Sequence, residues 1–204
     1  MVLPALLWGC ATIPLQFTRF DLIPDRKETR TVRIGEENYA EFDTPNYKIN
    51  AVVYEYSSVV VAELIILNRT KGDVGSDQYS VELTDGRDYK PVRLLTRDEL
   101  IAIKSRYSGG GKPGSMQDQL IESTMNTVMN TLNVPTKDRL ISYINQGIDN
   151  YFAFRPVYAG ESRQGVLCFL PDFKLEYPLT IRVKLKEEKA EFRFLPQKYV
   201  SQGS

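Results

Sequence analysis

The chain has 204 residues, with 26 Lys plus Arg balanced by 26 Asp plus Glu, and no histidine. Balanced charge gives no long-range attraction to nucleic acid, and without histidine there is no Ser-His-Asp triad, Cys-His pair or His-ligated zinc site. Two cysteines, Cys10 and Cys168, are too few for a zinc cluster and too far apart for a CxxC redox pair, so neither a metal nor a cofactor is expected.

Residues 1–9 form an apolar run that falls short of the roughly 20 residues a membrane-spanning helix needs. It ends in Leu7-Trp8-Gly9-Cys10, which resembles a bacterial lipobox, the Leu-x-Gly-Cys site where signal peptidase cuts and the cysteine is lipidated. The resemblance implies that residues 1–9 are removed and that Cys10 becomes a lipid-bearing N-terminus. Its acyl chains would hold the protein to a membrane, at ~0.8 kcal/mol for each buried CH₂. Ala11, rather than Asp, follows the cysteine. By the sorting pattern of enteric lipoproteins, that implies the outer membrane, facing the periplasm or the surface. Residues 10–30, with Pro14, Pro24 and Asp25-Arg26-Lys27-Glu28, read as a tether.

Strand patterns follow. Thr31 to Gly35 and Tyr39 to Phe42 are short, with a polar turn between them. Tyr47 to Tyr56 is rich in β-branched and aromatic residues. Val59 to Leu67 is apolar on both faces, which marks a central strand covered on both sides. Asn68-Arg69-Thr70 matches a glycosylation acceptor, but a strand-ending turn is the preferred reading. Gln78 to Thr84 alternates, Asp85-Gly86 turns, and Tyr89 to Leu95 returns.

The period then changes to helical. Thr96-Arg97-Asp98-Glu99 is a capping box opening a helix to about Tyr107. Ser108 to Ser115 is glycine-rich and breaks it. Met116, Leu120, Ile121, Met125, Val128, Met129 and Leu132 share one face of a second helix. Its other face, Asn126, Thr127, Asn130 and Thr131, is nearly uncharged and cheap to desolvate, so it is the expected partner surface. A third helix places Leu140, Ile144, Ile148 and Tyr151 together. Strands resume at Tyr151 to Tyr158, Gly165 to Leu170, Leu179 to Leu185 and Ala190 to Leu195.

Two stretches carry a family resemblance. In the first, an apolar strand ends in Asn68, followed by the strand Tyr79 to Leu83, Asp85-Gly86, and Tyr89 to Val92. In the second, Gly160-Glu161 precedes Gly165 to Phe169, then Leu179 to Val183. The order resembles the immunoglobulin-like domains of bacterial surface and periplasmic lipoproteins. It implies an extracytoplasmic, generally non-catalytic sandwich. The expected architecture is therefore a mainly β, antiparallel immunoglobulin-like sandwich over residues 31–204, with an insertion of about three helices over 96–150.

Little in the chain points to chemistry. Gly109 to Ser115 lacks the spacing of a phosphate loop, and Pro113 supplies no N–H, so it reads as a linker. Cys168 sits in an apolar run with no activating base and reads as core. Asp85, Asp88, Glu161 and Asp172 lie in turns, where carboxylates are usually solvated. The basic residues Lys184, Lys186, Lys189, Arg193 and Lys198 are interleaved with Glu187, Glu188 and Glu191, as on a solvated face. No catalytic residue is assigned. The expected function is a lipid-anchored envelope protein that binds another envelope protein or scaffolds an assembly. The alternatives are a carboxylate-dependent extracytoplasmic hydrolase and an adhesin or secretion-machinery subunit.

Overall fold

The computed structural model describes residues 17–24, 27–56, 59–109 and 144–197. Ten strands run β1 Phe17–Leu22, β2 Thr29–Ile34, β3 Glu37–Asp43, β4 Tyr47–Tyr56, β5 Val59–Asn68, β6 Tyr79–Thr84, β7 Pro91–Leu94, β8 Ser162–Leu170, β9 Leu179–Leu185 and β10 Glu188–Pro196. Helix α1 spans Arg97–Gly109, and among the described residues 144–149 are helical, here α2.

The strands do not form an immunoglobulin-like sandwich. Eight of them close into an antiparallel barrel in the order β1-β10-β9-β6-β7-β8-β5-β4, and β4 returns to β1. Two strands turn the corners by pairing with one sheet and then the other, a device of orthogonally packed sheets. Phe17 to Arg19 of β1 pair with Tyr56 to Tyr54 of β4, whereas Phe20 to Leu22 pair with Pro196 to Phe194 of β10. Val92 of β7 pairs with Leu83 of β6, and Arg93 and Leu94 pair with Leu170 and Phe169 of β8. A sandwich would leave these edges open, and closure removes them. β1 lies inside the stretch whose prolines and charges suggest a tether. The β2–β3 hairpin stays outside the ring, paired to the first half of β4's edge, while β1 takes the second half.

Alternation decides what fills the barrel. β5 sends Val60, Ala62, Leu64 and Ile66 inward, each no more than 1% exposed. Phe152, Phe169, Phe192 and Phe194 are also fully buried within the same cluster. An eight-stranded barrel is narrow enough for side chains to fill, and this one is filled. Both ends are plugged. Phe173 and Leu175, between β8 and β9, pack on one end of the core. At the other, Tyr79, Phe152 and Phe154 form a ring cluster with centroids 5.5–6.3 Å apart. Asn68 is fully buried there. It donates to the Gly72 and Val157 carbonyls at 2.9 and 3.0 Å and accepts from the Thr70 N–H. It is thus a strand-ending turn, and its side chain is closed to glycosylation in the folded protein.

The outer wall is polar over much of its area. On one side, Glu82, Arg182 and Glu191 line up across β6, β9 and β10, as do Ser80, Lys184 and Lys189. On the opposite side β5 shows Val59 and Val61, and β8 shows Cys168 and Leu170. There the helices supply the cover. Leu100 and Ile103 of α1, with Ile144 and Ile148 of α2, form a second apolar cluster over this wall. The expected double-sided burial of β5 is therefore met by the barrel core within and the helices without. Thr96 caps α1 as its sequence predicts: Glu99 N–H donates to its Oγ1 at 3.2 Å, and its own N–H donates to Glu99 Oε2 at 2.7 Å. Two helices stand among the described residues, not about three. The helix expected over 116–132 lies outside them. Tyr151 to Tyr158 is not a strand but an extended connection touching the sheets at two isolated bridges, Tyr151 to Val166 and Val74 to Val157.

Candidate binding groove

The residues singled out from sequence are not brought together. Cys10 and the polar helix face of Asn126, Thr127, Asn130 and Thr131 lie outside the described residues. Cys168 is core: it is 3% exposed, and burial pushes its thiol up to about 11, away from the reactive thiolate. Among the turn acids, Asp85 is buried and holds its own hairpin, accepting from the Lys90 N–H at 3.1 Å. Asp88 is exposed. Glu161 and Asp172 flank opposite ends of β8, roughly 30 Å apart at ~3.3 Å per residue. A glycosidase needs its two carboxylates within about 10 Å, so this pair cannot serve as one. In the basic hairpin, Lys184 and Lys189 are exposed, and Lys189 lies 3.6 Å from Glu191, which also pairs with Arg182 at 3.1 Å.

The structure shows a different site. A groove of about 760 Å³ lies on the outer wall, over β4, β5 and β8 and under the end of α2. Cross-strand register builds its floor. Tyr54 of β4 stands opposite Val61 of β5, and Glu63 stands opposite Val166 of β8. Gln164, one outward position further along β8, completes that strand's contribution. Glu37, at the start of β3, closes the side where the hairpin leaves the ring. Gln146 and Asp149 of α2, with Asn150 and Tyr151 beyond it, form the overhang.

Two close approaches hold that overhang down. A Cβ at Gly147 would lie 2.8 Å from Cys168 Sγ, so α2 rests directly on β8. A Cβ at Gly165, on the inward row opposite Leu64, would lie 2.6 Å from Phe152 Cα, so the chain leaving α2 passes alongside β8 from the outer wall to the core where β8 has no side chain. Backbone bonds fix the passage: Val166 N–H donates to Asn150 O at 2.6 Å, and Phe152 N–H donates to Val166 O at 2.9 Å.

The polar groups of the floor are held by one another. Gln164 Nε2 donates to Glu63 Oε1 at 2.7 Å. The Tyr39 phenol donates to Glu63 as well, and burial together with that carboxylate raises it to about 12. Burial raises the Tyr54 phenol too, reinforced by Glu37, to which it donates. Arg19 of β1 lies 2.7 Å from Glu37 Oε2 and ties that acid to the barrel's closing strand. Among the described residues, no lysine or arginine lines the groove. Among the described residues, no group of three metal-ligating side chains is present.

One signal for this site was in the sequence. Glu63 is the single charge in Val59 to Leu67, in the outward row Val59, Val61, Glu63, Ile65 and Leu67. A charge in an otherwise apolar outward row marks a break in whatever covers that face. Its partners Tyr39 and Gln164 carry no such mark, because only barrel register brings them to it. Compared with known proteins, the chain matches no protein-family model and no curated sequence.

Proposed function

We propose that this is a lipid-anchored protein of the bacterial envelope whose barrel acts as a binding or assembly module for another envelope protein. The observation that carries the binding part is the contrast between a barrel interior packed solid with side chains and a polar groove of about 760 Å³ on its outside. A ligand-carrying barrel keeps its cavity within. Among the described residues, side chains fill the interior and the groove is on the wall. Anchoring rests on Leu7-Trp8-Gly9-Cys10. No helix among the described residues is long and apolar enough to cross a membrane. The wall itself, with Lys184, Arg182 and Lys189 outward, is the inverse of a spanning barrel's apolar exterior. Attachment in this reading therefore runs through Cys10, and the expected location is the outer membrane.

Metabolic labelling with radioactive palmitate tests the anchor. Label is expected on the wild-type chain and absent from Cys10→Ala. Equal label on both, or none on either, removes the lipoprotein reading. The binding part is tested separately by capturing envelope proteins on the chain after cross-linking in intact cells, with and without Glu63→Arg. A partner retained equally by both places the contact elsewhere.

A further inference from the structure

The groove's lining is chemically one-sided. Among the described residues it has three carboxylates, Glu37, Glu63 and Asp149, and no cation. The three are not equivalent. Glu37 is paired with Arg19 at 2.7 Å. Glu63 receives neutral donors, Gln164 and Tyr39. Asp149 ends α2 at the overhang and is exposed. Among the described residues, two carboxylates therefore face the groove without a cationic partner in its lining. A cleft with low-dielectric walls and charge of one sign focuses its field on whatever enters. The floor between them is not wholly polar: Val61 and Val166 give it an apolar strip suited to an aliphatic stem.

Its length is also set by the fold. From Glu37 on β3, across β4 and β5, to Gln164 on β8 is three strand spacings, or roughly 14 Å at ~4.8 Å each. That is about four residues of extended chain, more than a single amine would fill. The volume lies in the range of specific binding clefts. The carboxamides of Gln146, Asn150 and Gln164 can both donate and accept, as a peptide backbone requires.

We infer that the groove binds an extended segment of a partner protein carrying lysine or arginine side chains, with Glu63 and Asp149 receiving the cationic groups and the apolar strip receiving their stems. The inference rests on the binding-module reading above and is independent of the lipid anchor.

The test uses the detergent-purified full-length chain and fluorescent tetra-arginine and tetra-lysine peptides, with tetra-glutamate and tetra-serine as controls and spermine as a free polyamine. Binding is followed by fluorescence anisotropy. The basic peptides are expected to bind, more weakly as salt rises, and the controls not to bind. Glu63→Gln keeps a hydrogen-bonding group of the same shape, and Asp149→Asn does so at the overhang. Each is expected to weaken basic peptide binding by about tenfold, the scale of one hydrogen bond to a charged group. Asp88→Asn, at an exposed turn away from the groove, is expected to bind as wild type. Unchanged circular dichroism confirms that the variants fold. No binding of either basic peptide, or binding by both Glu63→Gln and Asp149→Asn as tight as that of wild type, overturns the inference. Spermine binding more tightly than either peptide overturns the assignment to a protein segment. Mass spectrometry of the recovered peptide separates the two readings: intact bound peptide supports both, whereas cleaved peptide supports the ligand class and overturns the binding-module reading.

Discussion

Glu41 has only 1% of its side chain in contact with water, yet it stays charged. Burial alone would raise its pKa, but Lys48 Nζ at 2.6 Å, Arg30 Nε at 2.7 Å and Asn50 Nδ2 at 3.2 Å outweigh it, and the carboxyl is held below its ordinary value. The direction fixes the pH dependence. A group whose folded pKa is depressed contributes stability above its unfolded pKa and loses it as pH falls through the folded one. Glu99, held by Thr96 and Arg93 against its own burial, behaves the same way. Thermal melts from neutral pH downward should therefore show Glu41→Gln less stable than wild type by about 1–3 kcal/mol at neutral pH. The gap should close below about 4.5, the ordinary glutamate value. A gap constant with pH would mean that the carboxylate's charge contributes nothing. At this scale the sequence was only partly legible. Cys168 and Asn68 could be read from their immediate neighbours, one from its apolar run and the other from its turn. Glu41 could not, because its donors arrive from β2 and β4 and nothing in Glu37 to Asp43 distinguishes it from a solvated acid.

Helix α1 was legible because its determinants are local: Thr96 and Glu99 are three residues apart and bond each other. α2 was legible in its buried face, Ile144 and Ile148, but not in what it rests upon. Gly147 is the instructive residue. In an exposed helix, Gly→Ala gains up to about 1 kcal/mol from propensity. Here the added methyl would meet the sulfur of Cys168, which Leu95, Leu100 and Ile103 confine. Gly147→Ala should therefore destabilise the wild-type chain by about 1–2 kcal/mol, as overpacking does. In a Cys168→Ala background, where the sulfur is gone, the same substitution should be neutral or stabilising. Denaturant titration of the four proteins in this cycle checks the reversal. Additive effects would place α2 away from β8. The extended connection after α2 misled for a related reason. Tyr151 to Tyr158 has strand-like composition, but Phe152 and Phe154 are used to plug the barrel end, and Pro156 has no N–H to offer a ladder.

At the level of the whole molecule, strand existence was readable and strand order was not. Alternation shows that Leu179 to Leu185 has one buried face, but not which strands flank it. A sandwich and a barrel of the same strands differ only in whether corner strands turn from one sheet to the other. β7 has four residues and β1 follows a proline-bearing stretch, so both corners were written in segments too short or too irregular to declare themselves. β1 is the decisive one. Removing residues 1–24 should expose the edges of β4 at Tyr54 to Tyr56 and of β10 at Phe194 to Pro196, which β1 now covers. The truncated chain is expected to self-associate in light scattering and to melt at a lower temperature than the full chain. A monomer with an unchanged melt would show that closure contributes little. The same closure sets a timetable. β1 is the first described strand to leave the ribosome, and its partner β10 is the last. The barrel therefore cannot seal while the chain is being made. A long interval without native closure leaves the covered edges of β4 and β10 open to any other strand that meets them before synthesis ends.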